Sequence, residues 1–116
     1  MSWTDRTDRV DAIVVLTTVG SEERALTIAR ALIEDRLAAC VNVLPEMTSV
    51  YRWEEAVQED RERQLIIKTT RQALDAVRER VHALHGYDLP EFLVLPIASG
   101  SERYLRWIDE SVPRGV

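Results

Sequence analysis

Cysteine, glycine, basic residues and long apolar runs are all in short supply in this chain, and each shortage closes off a class of protein. One cysteine in 116 residues, Cys40, rules out an internal disulfide and fits a reducing compartment. No Cys-x-x-Cys site can be built from it. Four glycines give no phosphate-cradling loop and no dinucleotide fingerprint, and nothing resembles a catalytic triad. No catalytic residue is therefore assigned, and no organic cofactor is expected. Fifteen Lys and Arg stand against twenty Asp and Glu, a formal charge of −5, which argues against a nucleic-acid partner. No apolar run approaches the roughly 20 residues of a membrane span, so no membrane partner is expected. Met1 to Arg9 is polar apart from Trp3 and lacks the apolar core of a signal peptide. These residues, 1–9, read as a short disordered leader, and the chain as soluble and cytoplasmic.

What is present is an ordinary globular composition, 46% hydrophobic and 30% charged, at the size of one domain over residues 10–116. Val10 to Val19 is a β-branched run of strand length. Ser21 is a plausible N-cap, with Glu22 and Glu23 in the first turn, and Ala25, Ile28, Ala29, Leu32 and Ile33 follow at helical spacing, predicting a helix over 22–36. A second strand spans about 39–53, interrupted at Pro45, and a third about 57–70, joined to it by a tight connection at Glu54-Glu55-Ala56. A second helix over 72–85 turns Leu74, Val77, Val81 and Leu84 inward, with Gly86 at C′. A fourth strand covers 91–98, interrupted at Pro96, and a third helix follows Gly100, capped by Ser101 and burying Tyr104, Leu105 and Ile108.

The order β-α-β-β-α-β-α is an α+β fold, a ferredoxin-like split β-α-β sandwich with an extra C-terminal helix. Proline belongs on edge strands, and the second and fourth strands carry it, so the antiparallel sheet should run 4-1-3-2. The hairpin of strands two and three is long. Its far end carries Tyr51, Trp53 and Val57, which the helices are too short to cover. That overhang predicts an oligomer, with Tyr51, Trp53 and Val57 at the interface.

Chemistry concentrates in His85-Gly86-Tyr87-Asp88-Leu89-Pro90-Glu91, at the end of a helix. His85 and His82 lie three apart on one helical face, a spacing that permits joint metal coordination. His82 is as readily a solvated residue, and His85 as readily a partner of the last helical carbonyls. Glu91 is open to reading as a ligand, an acid–base group or an ion-pair partner. Cys40 offers a soft sulfur, yet sits among small apolar residues where a buried thiol is the commoner outcome. Lys68, late in strand three, needs a partner or a path to water. It falls at the opposite end of the sheet from Glu91, so a pair between them would have to cross subunits. The run Glu54, Glu55, Glu59, Asp60 and Glu62, partly neutralised by Arg61 and Arg63, reads as a solvated hairpin face.

Four segments in order, Leu37-Ala38-Ala39-Cys40-Val41-Asn42-Val43, Tyr51-Arg52-Trp53-Glu54, Leu65-Ile66-Ile67-Lys68-Thr69-Thr70 and His85 to Glu91, closely resemble the CutA family, the divalent-cation tolerance proteins. The likeness extends from about residue 11 to 112. It implies a homotrimer, similar in architecture to the PII signalling proteins, and a role in copper and other divalent-cation tolerance. It sets the His85–Glu91 segment on an intersubunit cleft, with Lys68, His85, Tyr87, Glu91 and Trp53 as lining. Copper or zinc held by His85, Glu91 and Cys40, or a small metabolite, is the ligand it implies. A PII-like signalling or scaffold trimer is the alternative, and an enzyme ranks behind both. In two places the family pattern differs: proline is usual where Gly86 stands, and glycine is frequent where Glu55 stands. The second difference predicts a hairpin turn that needs no positive φ.

Overall fold

The computed structural model describes residues 3–4 and 10–113. In chain order its elements are β1 (Trp3–Thr4), β2 (Ala12–Val19), α1 (Glu22–Glu34), β3 (Cys40–Val43), β4 (Met47–Trp53), β5 (Ala56–Thr70), α2 (Leu74–His85), β6 (Leu93–Pro96), β7 (Gly100–Ser101) and α3 (Glu102–Ser111). A 3-10 turn, Arg71–Ala73, leads into α2. Of the expected leader, residues 1–2 and 5–9 lie outside the described residues, while β1 pairs antiparallel with β7.

The main sheet runs β3-β5-β2-β6, and β4 pairs with the first half of β5. All these pairings are antiparallel, with Val15 opposite both Ile67 and Val94. β2 and β5 form the central pair, which is why their inward positions are the most apolar. Ile13, Val15, Val19, Leu65 and Ile67 are buried against Ala25, Ile28 and Leu32 of α1 and Val77 and Val81 of α2. Each such Val, Leu or Ile contributes roughly 1.5–3 kcal/mol of hydrophobic transfer. α3 covers one end of the opposite face, where Ile108 meets Val10 and Ala12. The rest of that face, including the exposed Leu93 and Leu95, is left uncovered among the described residues.

The interruption expected at Pro45 divides the second strand into β3 and β4, because proline has no N–H to continue the ladder. Four local expectations need correction. The fourth strand is confined to Leu93–Pro96, shorter than expected for the same reason at its C-terminal end. Glu54 and Glu55 both have positive φ, 50° and 66°, so the two-residue turn does use the left-handed region. Two left-handed residues match the twist of a tight hairpin, and that match overrides the cost of placing side chains there. Ile33, expected inside, is exposed at the edge of the buried stripe of α1, and Tyr104, in line with Ile108 on α3, is exposed because it borders the open cavity beside Lys68.

Candidate functional site

α2 ends at His85, the last of three residues on its inward face. Val77, Val81 and His85 are spaced four apart, so the imidazole lies on the same inward stripe as the two valines and is fully buried. Gly86 follows at φ 94°, the left-handed cap that turns the chain away. Arg24, from α1, donates from Nη1 to the Leu84 carbonyl at 2.6 Å, satisfying one of the last open acceptors of α2.

Tyr87 then folds back over the imidazole, edge-on at 4.8 Å between ring centroids, and its backbone N–H donates to His85 Nδ1 at 3.4 Å. Among the described residues, His85 Nε2 has no hydrogen-bond partner of normal geometry. Burial pushes the His85 pKa down, the Thr18 backbone opposes that shift, and the His82 and Arg24 charges reinforce it. The imidazole is thereby held neutral, the form that binds metals.

Beside it lies a row of polar side chains from alternate positions of β5. Glu62 Oε2 accepts from the Tyr87 hydroxyl at 3.2 Å, and Asp60 accepts from the Tyr51 hydroxyl. Gln64 Nε2 donates to Glu91 Oε2 at 2.8 Å, while Thr17 Oγ1 donates to the Glu91 carbonyl oxygen at 2.7 Å. The Tyr87 hydroxyl is pushed up to about 12, first by burial and then by the Glu62 carboxylate. Glu91 is also raised, by burial first and by Glu62 second, with the Gln64 hydrogen bond opposing. Tyr51 is raised chiefly through its hydrogen bond to Asp60. Glu54, Glu55, Glu59 and Asp60 are exposed, as a solvated hairpin face requires, while Glu62 is half-buried and joins the phenol–carboxylate pairs. Arg61 and Arg63 pair elsewhere, with Glu46 and Glu22.

Not every expected residue converges there. Lys68 stands opposite Val14 and Cys40, four residues from Gln64, or about 13 Å along a strand. Its ammonium lies over the Tyr104 ring, 5.7 Å from the centroid, beside a cavity of about 320 Å³ walled by Val14, Ile97, Leu105 and Ile108. Cys40 is half-buried, with Sγ 3.9 Å from Asn42 Oδ1. Trp53 and Val57 are exposed at the hairpin end. His82 is exposed, bonded through Nδ1 to the Arg78 carbonyl and set against Phe92. Among the described residues, no three His, Cys, Asp or Glu side chains come together at metal-ligand spacing.

Glu62, Asp60, Gln64 and Arg24 belong to this region, and sequence reasoning gave none of them a role at the site. For the first three a signal existed: the polar alternation Gln58, Asp60, Glu62, Gln64 marks one face of a strand. Arg24 carried no such signal, since its partner lies sixty residues away in another helix.

The observed pairings make two interleaved β-α-β units, β2-α1-β3 and β5-α2-β6, each bridging a strand of the other. This defines an α+β sandwich with α1 and α2 on one sheet face, α3 over one end of the other, and a phenol- and carboxylate-bearing edge. The chain belongs to the CutA1 divalent ion tolerance protein family, whose model matches residues 13–111. The Divalent-cation tolerance protein CutA of Thermus thermophilus is 56% identical over 84% of this chain and 95% of its own length. Protein CutA, chloroplastic, of Arabidopsis thaliana is 46% identical over 88% of this chain, which spans 56% of that relative's length. The solved structure of the Thermus thermophilus protein Cut A1 superposes with a TM-score of 0.85 at 54% identity, covering 88% of this chain and 99% of that one.

Proposed function

We propose that this protein is a divalent-cation binding and homeostasis protein, working as a homotrimer. Its ligand, copper or zinc, or a small metabolite, is taken at the His85–Tyr87–Glu91 edge in a cleft between subunits. The observation that carries this is a buried, neutral His85 whose Nε2 makes no hydrogen bond of normal geometry, edge-on to a Tyr87 that bonds Glu62, with Glu91 tied to the same strand by Gln64. Imidazole nitrogen with carboxylate and phenol oxygen suits a borderline cation such as copper(II) or zinc. The described residues of one chain hold no converged set of three ligands, so the remaining positions fall to water or to a second copy. The trimer would supply such a copy. Support for it comes from Leu93 and Leu95, 52% and 44% exposed on the uncovered sheet face, and from the exposed Trp53 and Val57. Lys68 and Cys40 join this cleft only if a neighbouring subunit brings them across.

Calorimetric titration of metal-free protein with copper(II) and with zinc tests the reading. The wild type should give a saturable heat, and His85→Ala combined with Glu91→Ala should weaken it at least tenfold. Equal affinity in the double variant contradicts the assignment.

A PII-like scaffold is the second reading, favoured by the exposed hairpin with Tyr51 and Trp53. It predicts partner binding that survives His85→Ala and fails when the hairpin is shortened. No helix among the described residues is long and apolar enough to cross a membrane. A cytoplasmic location rests on the lone cysteine, and cell fractionation tests it.

A further inference from the structure

We infer that Tyr87 is a cover over His85 that pivots at Gly86, and that Arg24 is the positioning residue that holds the cover shut. This rests on the reading of His85 as a ligand and names how access to it is controlled.

Three observations carry it. His85 is fully buried while Tyr87, two residues on, is 41% exposed and lies edge-on against it, so a cation approaching the imidazole from that side must displace the ring. The ring is held at its far end by the Glu62 carboxylate and by close approach to Gly20. A Cβ at Gly20 would stand 3.1 Å from the Tyr87 hydroxyl, tighter than an ordinary contact. At its near end the chain turns through Gly86 at φ 94°, a conformation that side-chain-bearing residues resist. The Arg24 guanidinium lies across that turn: a Cβ on Gly86 would meet Arg24 Cζ at 2.8 Å and Nη1 at 2.9 Å. The same guanidinium donates to the Leu84 carbonyl. Arg24 thus ties α1 to the last turn of α2 and restricts the pivot. With the tie removed, Gly86 is free to swing and the open state becomes more populated. A ligand that binds only the open state then gains apparent affinity in proportion to that population.

The test uses the full-length protein with Arg24→Met, which keeps the aliphatic stem but not the donors, and Arg24→Lys, which restores a donor. Nuclear Overhauser effects between the Tyr87 ring and the Gly20 Hα protons, recorded without metal, report the closed position. Zinc calorimetry reports access. In Arg24→Met the Gly20–Tyr87 effects should weaken and the apparent zinc affinity should rise, by about threefold to tenfold. Arg24→Lys should move both back toward wild type. A purely structural role for Arg24 predicts the opposite sign, a loss of affinity, and that result overturns the inference. So does Arg24→Met with unchanged Overhauser effects, or Arg24→Lys indistinguishable from Arg24→Met. If wild-type protein takes no zinc at all, the metal reading fails, and the Overhauser comparison alone still decides whether Arg24 holds Tyr87 closed.

Discussion

His85 is the residue whose position says most about the chain. The interval Val77, Val81, His85 was available in the sequence and marks a single inward face, yet a histidine in a last turn reads equally well as a partner for helix-end carbonyls. What no local pattern conveys is that Arg24 takes that capping role, leaving the imidazole inside. The pH consequence follows from sign. Burial lowers the folded pKa below the unfolded value of about 6.5. The stabilisation is therefore complete above that value and is lost as pH falls through it toward the folded pKa. Urea midpoints of metal-free protein should drop between pH 7.5 and pH 5.5. His85→Leu should lose less over the same window. Glu91, raised by burial, acts with the other sign: its contribution is present below about 4.5 and fades as pH rises through its folded value. Subtracting the His85→Leu profile from wild type separates the two.

At the scale of elements, hydrophobic period made the helices and the central strands legible. β2 and β5 are buried on their inward faces as their β-branched residues require, and Ile67 sits at the centre of the inner layer. Ile67→Ala should cost about 2–5 kcal/mol by chemical denaturation. The hairpin turn was not legible. Glu54-Glu55 carries none of the Asn, Asp or Gly signal of a left-handed turn, and only the pairing of Trp53 with Ala56 forces it. That turn holds two side-chain-bearing residues in a region that costs roughly 1–2 kcal/mol each. Glu55→Gly should raise stability by about 0.5–1 kcal/mol, after the greater chain entropy of glycine is subtracted. A loss of stability in that variant would show that contacts of the Glu55 side chain outweigh the backbone cost.

For the whole molecule the informative surface is the sheet face that α3 does not reach. Leu93 and Leu95 there, with Trp53 and Val57 on the overhanging hairpin, are apolar groups that a single chain leaves in water. Sequence alone predicts such an overhang from strand length and proline placement, but what covers the face lies beyond one chain. Sedimentation velocity should give three times the single-chain mass, and Leu93→Glu with Leu95→Glu should reduce it to the single-chain value. Metal binding as proposed would depend on assembly, because among the described residues one protomer brings no three ligands together and keeps Lys68 about 13 Å along β5 from Gln64, the partner of Glu91. The most direct measurement is anomalous diffraction from crystals of the intact assembly soaked in copper. The account predicts a copper peak about 2.0–2.1 Å from His85 Nε2, with Tyr87 displaced from the ring it covers. Copper bound only at Cys40, only at the hairpin acids, or nowhere would contradict it.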